Sequence, residues 1–114
     1  GLQRLDAELA RKRPVFMDYT ADWCASCKTN EKVFLETELV RSALTRTNIL
    51  PMKVDMTNED EGKEAWLKKL GRNGIPAYVI MMPDGTRDLL PEMITAEMVT
   101  GRLEAAAKRF PPAK

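Results

Sequence analysis

The sequence predicts an α/β fold in which a central mixed sheet of about four strands carries helices on both faces. Two observations predict it. In the first part of the chain, apolar strand-like runs alternate with segments whose apolar residues recur at helical spacing. This is the order of a βαβ unit. Later, Pro83-Asp84-Gly85 separates two strand-like runs and indicates a hairpin. A right-handed crossover makes the first strand pair parallel, and the hairpin makes the last pair antiparallel.

The apolar spacing of the first half favours helix, strand, helix and strand in that order. Leucines recur at helical spacing at the start, and Pro14 ends that helix. The next run reads as a buried strand interrupted by a single acid, Asp18. The expected elements are a helix over 2–11, a strand over 15–19, a helix over about 28–44 with a bend near Glu36-Thr37, and a strand over 49–54.

The second half repeats this order with shorter strands. Residues 58–60 supply candidate caps for a helix, and Gly71 is a plausible end to it. The expected elements are that helix with Ala65, Trp66 and Leu70 on its apolar face, strands over 77–82 and 86–90, and a final helix from Thr95 to about Ala107.

Length and charge limit the classes of function. At 114 residues the chain is long enough for one core, so we expect residues 1–114 to form a single domain. A formal net charge of +1 gives no electrostatic footprint for nucleic acid or for an acidic membrane surface. The longest apolar stretch, Ala77–Met82, is far below the roughly 20 residues of a membrane span. No signal-peptide pattern opens the chain.

The most informative feature is a pair of cysteines, Cys24 and Cys27, which are the only two in the chain. At the start of a helix this spacing puts the α carbons roughly 5 Å apart, close enough for a disulfide. Such a bond would stabilise the fold little, by about 2 kcal/mol against about 3 for a fifteen-residue loop. The pair is therefore interpreted as a redox couple that needs no other cofactor.

The pair has two other possible interpretations. A structural zinc site needs about four cysteine or histidine ligands, and this chain has no histidine, so zinc could bind only between chains or with carboxylates. A buried, reduced pair could simply fill space. Its position argues against that, because the pair follows the first strand at the carboxyl end, where open α/β sheets place their sites.

Several motifs together resemble one family. They are Asp18 before the cysteines, Ala21–Lys28 (ADWCASCK), Glu31-Lys32, Val54–Thr57 (VDMT), Gly74-Ile75-Pro76 and Pro83-Asp84-Gly85. In this order they resemble the thioredoxin superfamily and, within it, the C-terminal periplasmic domains of the DsbD family. The resemblance extends from about Pro14 to Leu103. The segment Leu90-Pro91-Glu92 with Thr95 departs from the best-known members and resembles a related branch of membrane-anchored reductases.

The resemblance implies a thioredoxin fold and a thiol–disulfide oxidoreductase that carries electrons. Its donor would be a membrane-embedded cysteine pair and its acceptor a periplasmic protein or domain. The chain would then be one periplasmic domain, monomeric when isolated, of a longer inner-membrane protein. Two alternatives stay open: a free-standing thioredoxin-like reductase, including one for cytochrome c maturation, and a thioredoxin-fold interaction module whose cysteines are incidental.

The residues around the pair suggest its chemistry. Cys24 is expected to be the accessible, attacking thiol, because a helix N-terminus favours a thiolate. Cys27, one turn inside, is expected to be buried and to resolve the mixed disulfide, although equal exposure of both sulfurs was also considered. Asp18 and Glu31 would add negative charge nearby, which raises a thiol pKa. Together with the lack of histidine, this points to a comparatively reducing couple.

Each candidate residue also has a plainer interpretation. Asp18 either handles the proton of Cys27 or is a hydrogen-bonded core acid, and Glu31 either assists it or is merely solvated. Trp23 either flanks the sulfur as a contact surface or packs under the loop.

The resemblance adds a partner-binding surface. It implies that the Ile75–Pro76 bond is cis, with the backbone of Ile75 free to pair with an extended partner segment. Ala25 and Ser26, between the cysteines, complete the expected substrate-binding surface.

Overall fold

The computed structural model describes residues 2–112, with the side chain of Leu2 outside that description. Helices and strands alternate much as the sequence predicts. They are α1 (Leu2–Ala10), β1 (Val15–Thr20), α2 (Ala25–Asn30), a π-helical segment (Glu31–Leu35), α3 (Glu38–Thr47), β2 (Leu50–Asp55), α4 (Glu61–Lys69), β3 (Ala77–Met81), β4 (Arg87–Leu89) and α5 (Ala96–Arg109). No helix that the structure describes is both long and apolar enough to cross a bilayer.

The four strands form one mixed sheet in the order β2-β1-β3-β4. β1 runs parallel to β2, which sets Asp18 beside Lys53, and antiparallel to β3, which sets Asp18 beside Tyr78. β3 and β4 are antiparallel and meet at the Asp84-Gly85 turn. The predicted mixed sheet, with a parallel first pair and a hairpin as the last pair, is confirmed.

Each face of the sheet is covered by a separate layer of helices. β1 is buried along its whole length because alternate residues face the two layers. One layer joins the sheet to α3 and α5 through Phe16, Tyr78, Ile80, Val40, Ala43, Val99 and Leu103. The other joins it to α1 and α4 through Val15, Met17, Tyr19, Val79, Leu5, Leu67 and Leu70. Asp18 follows Phe16 by two residues and so lies on the α3/α5 face.

The helix after the cysteines is interrupted where the sequence predicts a bend. The backbone leaves helical geometry at Glu36, and Thr37 begins α3 by accepting a hydrogen bond from the Val40 N–H at 3.3 Å. Apolar spacing did not predict the π-helical segment between α2 and α3. That segment begins at Glu31, whose side chain is buried.

The predicted apolar face of α4 is partly wrong. Asp60 caps this helix, and the buried residues are Leu67 and Leu70. Ala65 is exposed because it lies about 200° around the helix from Leu67, at 3.6 residues per turn. Gly71 follows the cap with a φ of 85° and donates its N–H to the Lys68 carbonyl at 2.9 Å, which closes the helix as expected.

Two glycine-to-alanine substitutions are expected to change stability in opposite directions. A β carbon at Gly71 or at Gly101 would meet open space, so only backbone conformation differs between the sites. We expect Gly71→Ala to lower the free energy of unfolding by about 1 kcal/mol, because its φ is positive. Gly101→Ala, inside α5, should raise it by about 0.5–1 kcal/mol. Urea unfolding of the oxidised protein measures both. A Gly71→Ala variant as stable as the parent would show that the positive φ is not required.

Candidate active site

The two cysteines lie at the carboxyl end of β1 and are joined in a disulfide with a Cα–Cα distance of 5.3 Å. Cys24 is the N-cap of α2, and its sulfur accepts a hydrogen bond from the Cys27 N–H at 3.2 Å. A backbone donor in the first turn of α2 therefore faces the Cys24 sulfur. The same donor would stabilise a Cys24 thiolate after reduction.

Both sulfur-bearing residues are buried in this oxidised form. Cys24 is 6% exposed and Cys27 is 0% exposed, so Cys24 is the more exposed of the two, in the expected order. The burial comes from local packing: Ala21 lies in the same buried cluster, and Met56 and Ile75 pack against it. Of the two cysteines, only Cys24 keeps some exposure to solvent. The accessibility of the Cys24 thiol in the reduced protein stays a prediction.

The loop that precedes the cysteines is hydrogen-bonded to the segment after β2. The indole N–H of Trp23 donates to the Thr57 carbonyl at 3.0 Å, and the Asp22 N–H donates to Thr57 Oγ1 at 2.9 Å. Thr57 is itself held by Asp55. Trp23 is 65% exposed, so its alternative placement under the loop is wrong.

A groove of about 420 Å³ opens beside the disulfide. Ile75 borders it and also packs against the cysteines, and the Ile75–Pro76 peptide bond is cis. Pro76 is buried, whereas Ala25 and Ser26 are exposed on the first turn of α2. The groove is lined by Trp23, Met56, Thr57, Asn58, Glu59, Glu64, Leu67, Asn73, Gly74 and Ile75.

Sequence reasoning gave no role to Met56, Thr57, Glu59, Glu64 or Leu67. A signal for two of them was available. Met56 and Thr57 directly follow β2, and the carboxyl ends of parallel strands meet at the same edge of a sheet.

Asp18 is a buried acid with an unused acceptor. Its side chain is 4% exposed, and within residues 2–112 no group donates a hydrogen bond to its Oδ1. Burial raises the pKa of Asp18 to about 7, and the negative charge of Glu31 adds to the shift while Lys53 and Lys28 oppose it. The plainer interpretation of a fully hydrogen-bonded core acid does not hold.

Glu31 is buried as well, but both of its oxygens are hydrogen-bonded. The Thr20 hydroxyl donates to Oε2 at 2.6 Å and the Lys53 ammonium donates to Oε1 at 2.9 Å. Burial alone would raise the pKa of Glu31, but these hydrogen bonds and the Lys53 charge outweigh it and hold the pKa below its usual value. Glu31 is therefore not the solvated surface glutamate that was the alternative.

The two acids thus differ in what they can do with a proton. Glu31 stays ionised because its partners stabilise the charge. Asp18 can bind or release a proton near neutral pH, because burial disfavours its charged form and no group within residues 2–112 donates to its Oδ1. Two carboxyls whose surroundings push their pKa values apart are typical of proton-handling sites. Neither Thr20 nor Lys53, which create the difference, was singled out from the sequence.

Comparisons with known proteins place this site in context. A family model described as thioredoxin-like matches residues 3–83. The chain is 32% identical over 109 residues to the thiol:disulfide interchange protein DsbD of Pectobacterium atrosepticum, and 34% identical over 108 residues to that of Yersinia pestis. These alignments cover 95% and 93% of the chain but only 18% and 17% of the two relatives. The chain therefore spans less than a fifth of their length.

Solved structures show the same similarity. The C-terminal domain of Neisseria meningitidis DsbD in its reduced form has a TM-score of 0.72 and 26% identity, covering 93% of this chain and 96% of that one. Its oxidised form has a TM-score of 0.73 with the same identity and coverage. A thioredoxin from Thermus thermophilus, at 17% identity and a TM-score of 0.64 over 95% of this chain and 82% of that one, shows the fold alone.

The raised pKa of Asp18 predicts a pH-dependent effect of Asp18→Asn on stability. The native state binds this proton more tightly than the unfolded state, so Asp18 lowers stability progressively as the pH rises from about 4 through about 7. Relative to the parent, Asp18→Asn should therefore be more stable at pH 8.5 than at pH 4, by a few kcal/mol at most, since each pKa unit corresponds to ~1.4 kcal/mol. Urea unfolding at both pH values tests this, with the exposed Asp6→Asn as control. An equal effect at both pH values would show that Asp18 titrates normally.

Proposed function

Because the chain belongs to the thioredoxin-like family and is a thiol–disulfide oxidoreductase, we propose that it carries electrons as one domain of a DsbD-like relay. The observation that carries this proposal is the Cys24–Cys27 disulfide beside an open groove, on a chain that matches the C-terminal domain of DsbD over nearly its whole length. In that relay the domain would be periplasmic, and the whole protein would be anchored in the inner membrane. Its redox centre would be the cysteine pair itself, without a further cofactor.

The donor would be a membrane-embedded cysteine pair and the acceptor a disulfide in a periplasmic protein or domain, with cytochrome c biogenesis among the pathways served. The Cys24 thiolate attacks the acceptor disulfide, which forms a mixed disulfide and releases one acceptor thiolate. Cys27 then gives up its proton and attacks the Cys24 sulfur, releasing the second acceptor thiol. The acceptor gains two electrons, and the Cys24–Cys27 disulfide forms.

Asp18 would accept the Cys27 proton, since its carboxyl is buried, unpartnered at Oδ1 and able to titrate near neutral pH. Glu31 would act as a fixed negative charge that keeps Asp18 basic. The backbone of Ile75, with Trp23, Ala25 and Ser26, would contact the bound partner segment. This surface fits strand-like pairing with an extended chain.

Trapping the partner tests the proposal directly. In Cys27→Ser the mixed disulfide cannot be resolved, so we expect a covalent complex in periplasmic extracts that dithiothreitol separates. Mass spectrometry then identifies the attached protein. Cys24→Ser, which keeps a cysteine at the buried position, is the matched control and should trap much less. A complex that forms equally with either variant would remove Cys24 as the attacking thiol. The absence of any complex would favour an interaction module.

Replacing Asp18 tests the proton transfer. In Asp18→Asn the amide keeps the shape but removes the charge and the basic site, so the Cys24 titration should move to lower pH. Resolution by Cys27 should slow by roughly 10²-fold, the lower end of general-base effects. Thiolate absorbance and stopped-flow reduction measure the two quantities, with Asp6→Asn as control. If both stay unchanged, Asp18 has no part in the exchange.

A further inference from the structure

The groove beside the disulfide combines apolar and acidic side chains. Its apolar lining is Trp23, Met56, Leu67 and Ile75, and its acidic lining is Glu59 and Glu64. Ile75 also packs against the two cysteines, so the groove is continuous with the disulfide. A chain segment lying in it could present its own sulfur to Cys24 and also meet the two glutamates.

The negative charge along this groove has no internal counterion. Within residues 2–112 no lysine or arginine forms an ion pair with the four acids of the 59–64 stretch, which are Glu59, Asp60, Glu61 and Glu64. Lys63, inside the same stretch, donates instead to the Asp55 carbonyl at 2.7 Å.

Several acids elsewhere on the surface do have such a partner. Glu8, Asp84, Asp88 and Glu104 each pair with an arginine. The lining of the groove itself contains Glu59 and Glu64 but no lysine or arginine, so the groove is acidic although the chain has a formal net charge of +1.

We propose that the groove selects an extended segment of the redox partner with apolar residues next to its cysteine and lysine or arginine beyond them. This inference rests on the proposed function and adds the chemistry of the partner. The apolar neighbour would cover Met56, Leu67 and Ile75, and the cation would lie against Glu59 and Glu64. Complementary charge of this kind accelerates encounter and discriminates between partners more than it adds affinity.

Two synthetic peptides provide the test. Both peptides have one cysteine with an apolar residue on each side. Beyond the apolar residues, one peptide has lysines and the other has glutamates. Each peptide is supplied as a symmetrical disulfide of two identical copies. The reduced protein converts the peptide disulfide to two thiols, and its own Cys24 and Cys27 form a disulfide. Two electrons pass from the protein to the peptide in this reaction. Acid quenching and chromatography give the rates. Because lysine also makes a neighbouring cysteine a better leaving group, each rate is divided by the rate with dithiothreitol.

We expect the normalised rate to be about tenfold higher for the lysine peptide at low ionic strength and nearly equal for the two peptides in 1 M salt. The double variant Glu59→Gln/Glu64→Gln should reduce the tenfold preference to about twofold. Its matched control, Glu38→Gln/Glu97→Gln, removes the same charge from exposed positions on α3 and α5 and should keep the preference.

Equal normalised rates for the two peptides in the parent protein would overturn the inference while leaving the oxidoreductase intact. So would a preference that both double variants reduce equally, because the effect would then come from net charge alone. If neither peptide is reduced although dithiothreitol reduces both, the proposed function fails instead. The outcomes therefore separate the two proposals.

Discussion

The parallel pairing of β1 with β2 is the constraint on which the site depends. It brings the carboxyl ends of both strands to one edge of the sheet, so the loop before Cys24 meets Met56 and Thr57. The same register sets Lys53 beside Asp18, and from this position the Lys53 ammonium donates a hydrogen bond to Glu31. A shift of one residue would turn Lys53 to the opposite face and leave Glu31 buried without its cation. Sheet register thus decides the charge environment of the two buried acids.

Hydrogen bonding gives two equally buried carboxyls different properties. Both Asp18 and Glu31 are 4% exposed, and desolvation alone would raise both pKa values. The pKa of Glu31 is nevertheless lowered, because Thr20 and Lys53 donate hydrogen bonds to its carboxylate. Within residues 2–112, Asp18 has no such donor at Oδ1. The ionised Glu31 in turn makes ionisation of Asp18 harder. Hydrogen-bond donors, more than depth, therefore decide which acid exchanges protons.

The sequence was sufficient for the order of elements, the mixed sheet, the bend near Glu36 and the position of the cysteines, because these follow from local periodicity and turn residues. It was not sufficient for contacts that depend on register or on tertiary packing. The Lys53–Glu31 pair joins residues 22 apart. Ala65 was misplaced because packing turns Leu67 toward the core, and Ala65 lies about 200° around the helix from it. Likewise, the burial of Cys24 comes from Met56 and Ile75, which reach it only through the tertiary fold.

The hydrogen bonds from Trp23 and Asp22 to Thr57 have a consequence for electron transfer itself. They hold the loop before the cysteines without using either sulfur, so opening the disulfide does not in itself break them. A loop held in this way would keep its position in both redox states, and the two states would then differ mainly by one S–S bond and its protons. Thiol–disulfide exchange at such a site would need little reorganisation in either direction, so the carrier role proposed above would require only one surface for both donor and acceptor.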